Sequence, residues 1–428
     1  MKYLIIGNSA AGIGGIEGIR SRDSKGEITV VTDESYHVYS RPLISYYLAK
    51  KVDFEQMKYR SDEYYQKNDV QLFMNKKAVN LNSRKQQVIL EDGKQLDYDK
   101  LLLATGGQPF IPPIKGKDKE NIFTFIKLDE VKKIKNNIKS NDSGKVIILG
   151  GGLIGLKAAE AFIKHGLEVI VVELAERILS TILDRKAASL VKDYLQQKGI
   201  KFHLADTVVE FKGNKKVEKV KLQSGLTIDC DLAVIATGVK PNLSLVKEQD
   251  IDYNQGIIVD KYLKTSGEDI FAAGDVCEGY NMLSGTVGVI PIWPNAYNQG
   301  YTAGKNMTGD NEKYEESFAQ NSIGFFDLSM ITAGIINPEL DENVSDDDKQ
   351  YQIYDDKKSD EYLYKKFIIK DNKLVGFILV NNVERAGILT GLIKDQKNIA
   401  DVKEKLLNEN FGLLSLNRYQ KYRVTSEL

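Results

Sequence analysis

The chain has 428 residues, enough for two or three domains at about 150 residues each, with cores that need no disulfide or metal staple. Hydrophobic residues at 42% and charged residues at 28% are ordinary globular values, which excludes wholesale disorder and a membrane-embedded bundle. Lys+Arg 59 against Asp+Glu 60 leaves a formal net charge of -1 without a long basic block, so nucleic acid has no electrostatic footprint here.

Met1-Lys2-Tyr3-Leu4-Ile5-Ile6-Gly7 enters a strand at once and leaves no room for a signal peptide, so a cytoplasmic protein is expected. The strand runs into Gly7-Asn8-Ser9-Ala10-Ala11-Gly12, a dinucleotide-type turn in which Ser9 replaces the middle glycine, and then into a small-residue helix. A second apolar run, Ile28 to Val31, leads to Thr32 and Asp33. Asp33 lies 21 residues past Gly12, where an acid meets an adenosine ribose, and Glu34 is a neighbouring candidate. Leu101-Leu102-Leu103-Ala104-Thr105-Gly106 closes this half, and Pro109, Pro112 and Pro113 mark a crossing out of it.

The same order then repeats. After the apolar run from Val146, Gly150-x-Gly152-x-x-Gly155 meets the dinucleotide fingerprint in full. Backbone N–H groups at Leu153 and Ile154, where the following helix starts, face a pyrophosphate. Glu168 to Glu173 is the second strand. Glu173, 18 residues past Gly155, is placed to accept ribose hydroxyls and to repel a 2′-phosphate, so NADH is preferred over NADPH. The run from Leu232 ends in the same tripeptide, Ala236-Thr237-Gly238, and Pro241 follows it. The longest apolar stretch, Val146 to Leu156, stops at Lys157, short of the roughly 20 residues of a membrane span. No contact with a membrane is expected.

Beyond about residue 315 the character changes. Apolar runs at Lys365–Ile369 and Leu374–Val380 flank Asp371-Asn372-Lys373, a hairpin signal, and helical periodicity follows in Val383–Leu392 and Ile399–Leu407. The acidic runs Asp341–Asp348 and Asp355–Glu361 read as solvated turns. Cys230 and Cys277 are too few and too far apart for a disulfide framework, a Cys-x-x-Cys pair or a cysteine-ligated metal, and His37, His165 and His203 are too scattered for a metal site. Any redox cofactor is therefore held non-covalently, and no metal is expected.

The two dinucleotide turns, the two Ala-Thr-Gly tripeptides and Thr265-Ser266-Gly267-Glu268-Asp269-Ile270-Phe271-Ala272-Ala273-Gly274-Asp275 together resemble the FAD- and NAD(P)-dependent pyridine nucleotide–disulfide oxidoreductase superfamily. The resemblance covers about residues 1–310 by motif and the remainder by position. Tyr39-Ser40-Arg41-Pro42-Leu43-Ile44-Ser45 and Tyr98-Asp99-Lys100-Leu101 are most similar to the NADH:rubredoxin reductase branch and to the flavoprotein end of NADH-dependent nitrite reductases. It implies an α/β fold of two Rossmann-like dinucleotide-binding domains. The FAD domain (1–112 and 243–314) is interrupted by the NAD domain (113–242), and an α+β interface domain (315–428) follows. It further implies that Gly7, Ser9, Ala10, Ala11 and Gly12 hold the FAD pyrophosphate, Asp33 its adenosine ribose and Asp275, after Gly274, its ribityl chain. Arg41, Pro42, Ala104, Thr105, Gly106, Thr237 and Gly238 would line the cofactors, and the helix starting at Trp293 would point at the flavin pyrimidine.

Two departures from the family pattern matter. No cysteine precedes Cys230, so the flavin-side thiols of disulfide reductases are missing, and no histidine follows His203 to supply their C-terminal acid/base pair. Lys157 stands where most relatives have glutamate near the nicotinamide and flavin, which makes it the one candidate catalytic side chain, favouring negative charge on the reduced ring. The expected reaction is hydride transfer from NADH C4 to flavin N5, then electron transfer to a small iron protein of rubredoxin or ferredoxin type, in either direction. Alternatives are a peroxide-forming NADH oxidase and a redox-responsive flavoprotein subunit of a larger complex. A homodimer stays open.

Overall fold

The structure is a computed structural model, which describes residues 1–139, 144–315, 317–338, 351–408 and 411–416. It resolves into two compact units, one formed by Met1–Ile114, Asn121–Asp142 and Val234–Ser317, the other by Lys115–Glu120, Ser143–Ala233 and Phe318–Leu428.

The first unit is built on five parallel strands in the order Ile270–Ala272, Lys100–Leu103, Lys2–Ile6, Glu27–Val31, Val70–Phe73. The chain starts in the middle strand, moves outward on one side and then returns to the other. This places the topological switch between Lys2–Ile6 and Lys100–Leu103, the position at which open α/β sheets bind ligands. Near-continuous apolar strands such as Leu101-Leu102-Leu103 are buried because helices cover the sheet. The helix Ala10–Arg20 packs on the helix Trp293–Met307 so closely that backbones touch: a Cβ on Gly300 would stand 2.0 Å from the Ala11 carbonyl oxygen. The glycines and alanines of both segments are the sequence cause of that approach.

The second unit repeats the plan with neighbouring strands Ile200–Leu204, Glu168–Glu173, Lys145–Leu149 and Leu232–Ile235. It also contains an antiparallel five-stranded sheet in the order Gln320–Phe325, Leu328–Gly334, Lys373–Val380, Leu363–Lys370, Gln352–Lys358, with the helix Ala386–Lys394 beside it. Two strands flank Asp371 and Asn372, both of which adopt positive φ at the hairpin turn.

Two expectations need correction or limits. The periodicity at Ile399–Leu407 gives only turns and a short 3-10 helix, Lys403–Lys405. Its buried anchors Ile399 and Leu406 lie seven residues apart with Asp401, Lys403, Glu404 and Lys405 between them, too narrow an apolar stripe to hold a full helix. Residues 121–142 join the first unit, where Tyr39 Oη accepts the Leu128 N–H at 3.0 Å and Lys127 pairs with Asp33 at 2.7 Å. The C-terminal sheet joins the second, held by Asp184, whose carboxylate accepts from Tyr364 Oη at 2.7 Å and pairs with Lys366 at 3.1 Å. The acidic run 341–348 lies outside the described residues, and Gln352–Lys358, which takes in the start of the other run, is an edge strand. No helix among the described residues is long and apolar enough to cross a membrane.

Candidate functional site

In the first unit the Gly7–Gly12 turn sits at the switch point. Gly7 has φ +119° and its missing Cβ would stand 2.0 Å from the Ala104 carbonyl oxygen, so the turn and the Ala104-Thr105-Gly106 tripeptide close against each other only because no side chain intervenes. Ser9 is the N-cap of the helix that follows, yet its hydroxyl makes no capping bond, so the first N–H groups at Ala10 and Ala11 keep their partial positive charge for an anion. Asn8 holds Tyr65 Oη on its Oδ1 at 2.7 Å, and its buried Nδ2 has no partner.

Across the switch point lie the acids. Asp33, half-exposed, pairs with Lys127. Glu34 is buried and receives Tyr39 Oη at 2.6 Å together with a short ion pair from Arg41. Burial raises the Asp275 carboxyl to about 6, although the Arg41 charge opposes the shift, and the carboxylate accepts no hydrogen bond among the described residues. Gly274 before it donates its N–H to Gln299 Oε1 at 2.8 Å. Pro42 begins a 3-10 turn with Arg41, and Trp293 meets Tyr59 edge-on at 5.2 Å. Arg41 pairs with Glu34, and its charge is also felt by Asp275, although the sequence separates the two acids by 241 positions.

Thr105 and Thr237 turn out to share one structural task. The chain crosses at the antiparallel pair Gly107–Pro109 and Val239–Pro241, where Thr105 Oγ1 donates to the Asn242 carbonyl at 3.0 Å and Thr237 Oγ1 to the Phe110 carbonyl at 2.6 Å. Each threonine hydroxyl ties one crossing segment to the other, with Gly106 and Gly238 at positive φ.

In the second unit Gly152 caps the helix Leu153–Lys164 without a side-chain bond, and nothing lies within 4 Å of where its Cβ would be. That open backbone is what a pyrophosphate requires. Gly155 packs directly on the Gly150 carbonyl oxygen, and a Cβ there would stand 2.0 Å from it. Glu173 accepts the N–H groups of Gly151 at 2.5 Å and Ala175 at 2.7 Å, which fixes its carboxylate beside the turn. Lys157, two residues into the helix from Gly155, is nearly buried. Its ammonium donates to Glu160 at 2.5 Å and to the Gly324 carbonyl at 2.9 Å, so its charge is balanced by a carboxylate that is only 3% exposed.

Both cysteines are free and buried, and desolvation pushes each thiol up to about 12. A thiol held neutral is a poor nucleophile. Asn8 and Gln299 are not singled out by the sequence as site residues. Asn8 lies inside the fingerprint turn and Gln299 in the helix after Trp293, but only the fold shows that Asn8 accepts from Tyr65 and Gln299 from the Gly274 N–H.

A family model described as pyridine nucleotide-disulphide oxidoreductase matches residues 1–300, and one described as rubredoxin NAD+ reductase C-terminal domain matches 321–397. The epsilon subunit of NADH-dependent phenylglyoxylate dehydrogenase from Aromatoleum evansii is 31% identical over 95% of this chain and 94% of its own length. An NADH oxidase of Methanocaldococcus jannaschii is 33% identical over 73% of this chain and 71% of its own. The solved NADH:rubredoxin oxidoreductase of Clostridium acetobutylicum superposes with a TM-score of 0.73 at 26% identity, covering 97% of this chain and 98% of that one. Other curated relatives are longer, and the chain spans 48% and 51% of their lengths.

Proposed function

The chain belongs to the pyridine nucleotide-disulphide oxidoreductase family, and from that premise we propose that it is an NADH-dependent FAD oxidoreductase serving a small iron protein of rubredoxin or ferredoxin type. FAD, when bound, would supply the redox chemistry, the acceptance of a hydride from NADH and the release of its two electrons to the partner. The first site fits FAD on its own features: an uncapped helix start for the pyrophosphate, an orphaned Asn8 amide, and a partly buried Asp275 carboxylate without a donor.

On this reading Gly7 to Gly12 hold the pyrophosphate through backbone N–H groups and Asp33 takes the adenosine ribose. Glu34 orients Arg41, and Arg41 offsets the charge of Asp275, which accepts from a ribityl hydroxyl. In the second unit Gly150, Gly152, Leu153, Ile154 and Gly155 receive the NADH pyrophosphate and Glu173 its ribose. Lys157, its charge balanced by Glu160, holds the start of that helix to the Gly324 backbone by its own hydrogen bond.

The observation that carries the function is the pairing of two dinucleotide sites with a loop, Tyr36–Ser45, that has no cysteine. Electrons therefore leave without a thiol relay. A Cys230→Ser/Cys277→Ser variant is expected to be reduced by NADH at the wild-type rate, and about tenfold to hundredfold more efficiently by NADH than by NADPH, because Glu173 repels the 2′-phosphate. Loss of NADH reduction in an FAD-replete variant, or equal use of both nucleotides, would contradict these assignments.

Two other readings have specific support. The M. jannaschii relative favours direct reaction with O₂, whose two-electron product without a redox cysteine is hydrogen peroxide. The A. evansii relative favours a subunit of a larger complex. The two free, buried thiols suit a reducing, cytoplasmic setting.

A further inference from the structure

The first unit carries a cationic, aromatic surface that neither nucleotide site uses. On the helix Leu128–Lys139, Leu128, Val131 and Ile134 are buried, and Lys132 and Lys135 flank them one turn apart. Lys132 Nζ lies 4.1 Å over the Tyr36 ring and 5.7 Å over Phe54, and Lys135 Nζ lies 4.1 Å over Tyr47. Neither ammonium has a carboxylate within ion-pair distance among the described residues.

Of the neighbouring acids, Asp33 and Glu55 are ion-paired, whereas Asp129, Glu130 and Asp53 accept from neutral donors and keep their charge, fewer than the four lysines Lys50, Lys132, Lys133 and Lys135. Asp129 takes the Tyr36 hydroxyl. Glu130 takes Thr124 Oγ1 and the N–H groups of Ile126 and Lys127, and Asp33 pairs with Lys127. Asp53 caps the helix Phe54–Met57 and Glu55 pairs with Lys58. Lys50 and Lys133 are exposed and add to the excess of positive charge. Amphipathic rings beneath unneutralised cations form a face suited to a partner that brings carboxylates.

Its position ties it to the flavin site. The helix Ile44–Leu48, which bears Tyr46 and Tyr47, follows directly on the Arg41–Leu43 turn, and Arg41 acts on Asp275. Five helical residues span about 7–8 Å. A partner seated over Tyr47 and Lys135 would rest on the helix that continues from the Arg41–Leu43 turn.

We propose that this face docks the acidic surface of the small iron protein that exchanges electrons with the flavin; the inference rests on the functional reading above. Lys132 and Lys135 steer and orient that partner, and the Tyr36, Tyr46 and Tyr47 rings provide contact area.

The test compares wild type with Lys132→Glu/Lys135→Glu and with the milder Lys132→Gln/Lys135→Gln. Each is assayed with recombinant rubredoxin, with a plant-type ferredoxin and with menadione, an uncharged acceptor. At low salt the double glutamate variant should lose about tenfold in kcat/KM for the iron protein and the glutamine variant less, with the gap closing at high salt. Menadione reduction should be unchanged. If wild type reduces rubredoxin or ferredoxin and the glutamate variant matches it at low salt, the docking face is wrong and the function stands. If wild type reduces menadione but neither iron protein, the functional reading fails and the docking face with it. A variant that alters the oligomeric state on sizing yet keeps its iron-protein kinetics would give the face to a second copy, and would overturn the proposal.

Discussion

Asp275→Asn is expected to yield a chain that folds more stably without flavin than the wild type does, yet fails to retain FAD. Burial raises the Asp275 carboxyl from 3.8 to about 6 in the folded chain. Between about pH 4 and pH 6 the unfolded chain has already released this proton while the folded chain still holds it, so stability falls as pH rises through that window. Above it the full cost persists, about 3 kcal/mol for a difference of this size. Asparagine removes the cost without changing shape. Flavin-stripped Asp275→Asn should therefore gain up to about 3 kcal/mol over flavin-stripped wild type at pH 7, and nothing at pH 4 or below. Losing a charged acceptor for a ribityl hydroxyl should weaken FAD by about tenfold to hundredfold. Urea titrations of the two apoproteins at both pH values check the first part, and FAD content after gel filtration checks the second. Equal apoprotein stabilities at pH 7, or full FAD retention, would remove Asp275 from the site.

Asp184→Ala should be the most damaging substitution in the second unit. One Asp184 oxygen caps the helix Arg185–Gln197 by accepting the Ala187 N–H at 2.9 Å, and the other receives Tyr364 Oη and the Lys366 ammonium. Lys366 is 5% exposed, and its remaining hydrogen bond goes to the Ile336 carbonyl at 3.0 Å. Removing the carboxylate leaves a buried cation unpaired and a helix uncapped, a loss of about 4–6 kcal/mol. Asp184→Asn keeps the cap but not the charge and should fall between. Denaturant unfolding followed by circular dichroism distinguishes these outcomes, and a loss under about 1 kcal/mol for the alanine variant would show that the group does not anchor the C-terminal sheet.

Most of what positions the two nucleotide sites follows from short-range sequence signals. A strand, a glycine turn and a small-residue helix are adjacent in the chain, and the steric need for glycine at Gly7, Gly150 and Gly155 leaves few alternatives. The partners of the acids were not legible in the same way. Glu34 reads as a second candidate for the ribose, whereas the fold buries it against Tyr39 and Arg41. Thr105 and Thr237 read as cofactor-lining residues, while their hydroxyls clamp the two crossing strands. Lys157 reads as a cation near the flavin; its i,i+3 partner Glu160 is within reach of sequence spacing, but the Gly324 carbonyl 167 residues away is not. The failed helix at Ile399–Leu407 reflects a periodicity carried by only two buried positions. For Glu34, Thr105, Thr237 and the Gly324 contact of Lys157, the missing information is a tertiary contact that spacing does not encode.

The central claim is that electrons pass from NADH through FAD to a small iron protein without thiols. It is tested most directly by reducing the FAD-replete protein with one equivalent of NADH in an anaerobic stopped-flow instrument and following flavin reoxidation against rubredoxin, ferredoxin and air-saturated buffer in parallel. The account predicts reoxidation by at least one of the iron proteins about a hundredfold or more faster than by O₂, consistent with electron transfer to a docked partner outrunning unassisted collision. Reoxidation fastest with O₂, with stoichiometric hydrogen peroxide and no response to either iron protein, would contradict it.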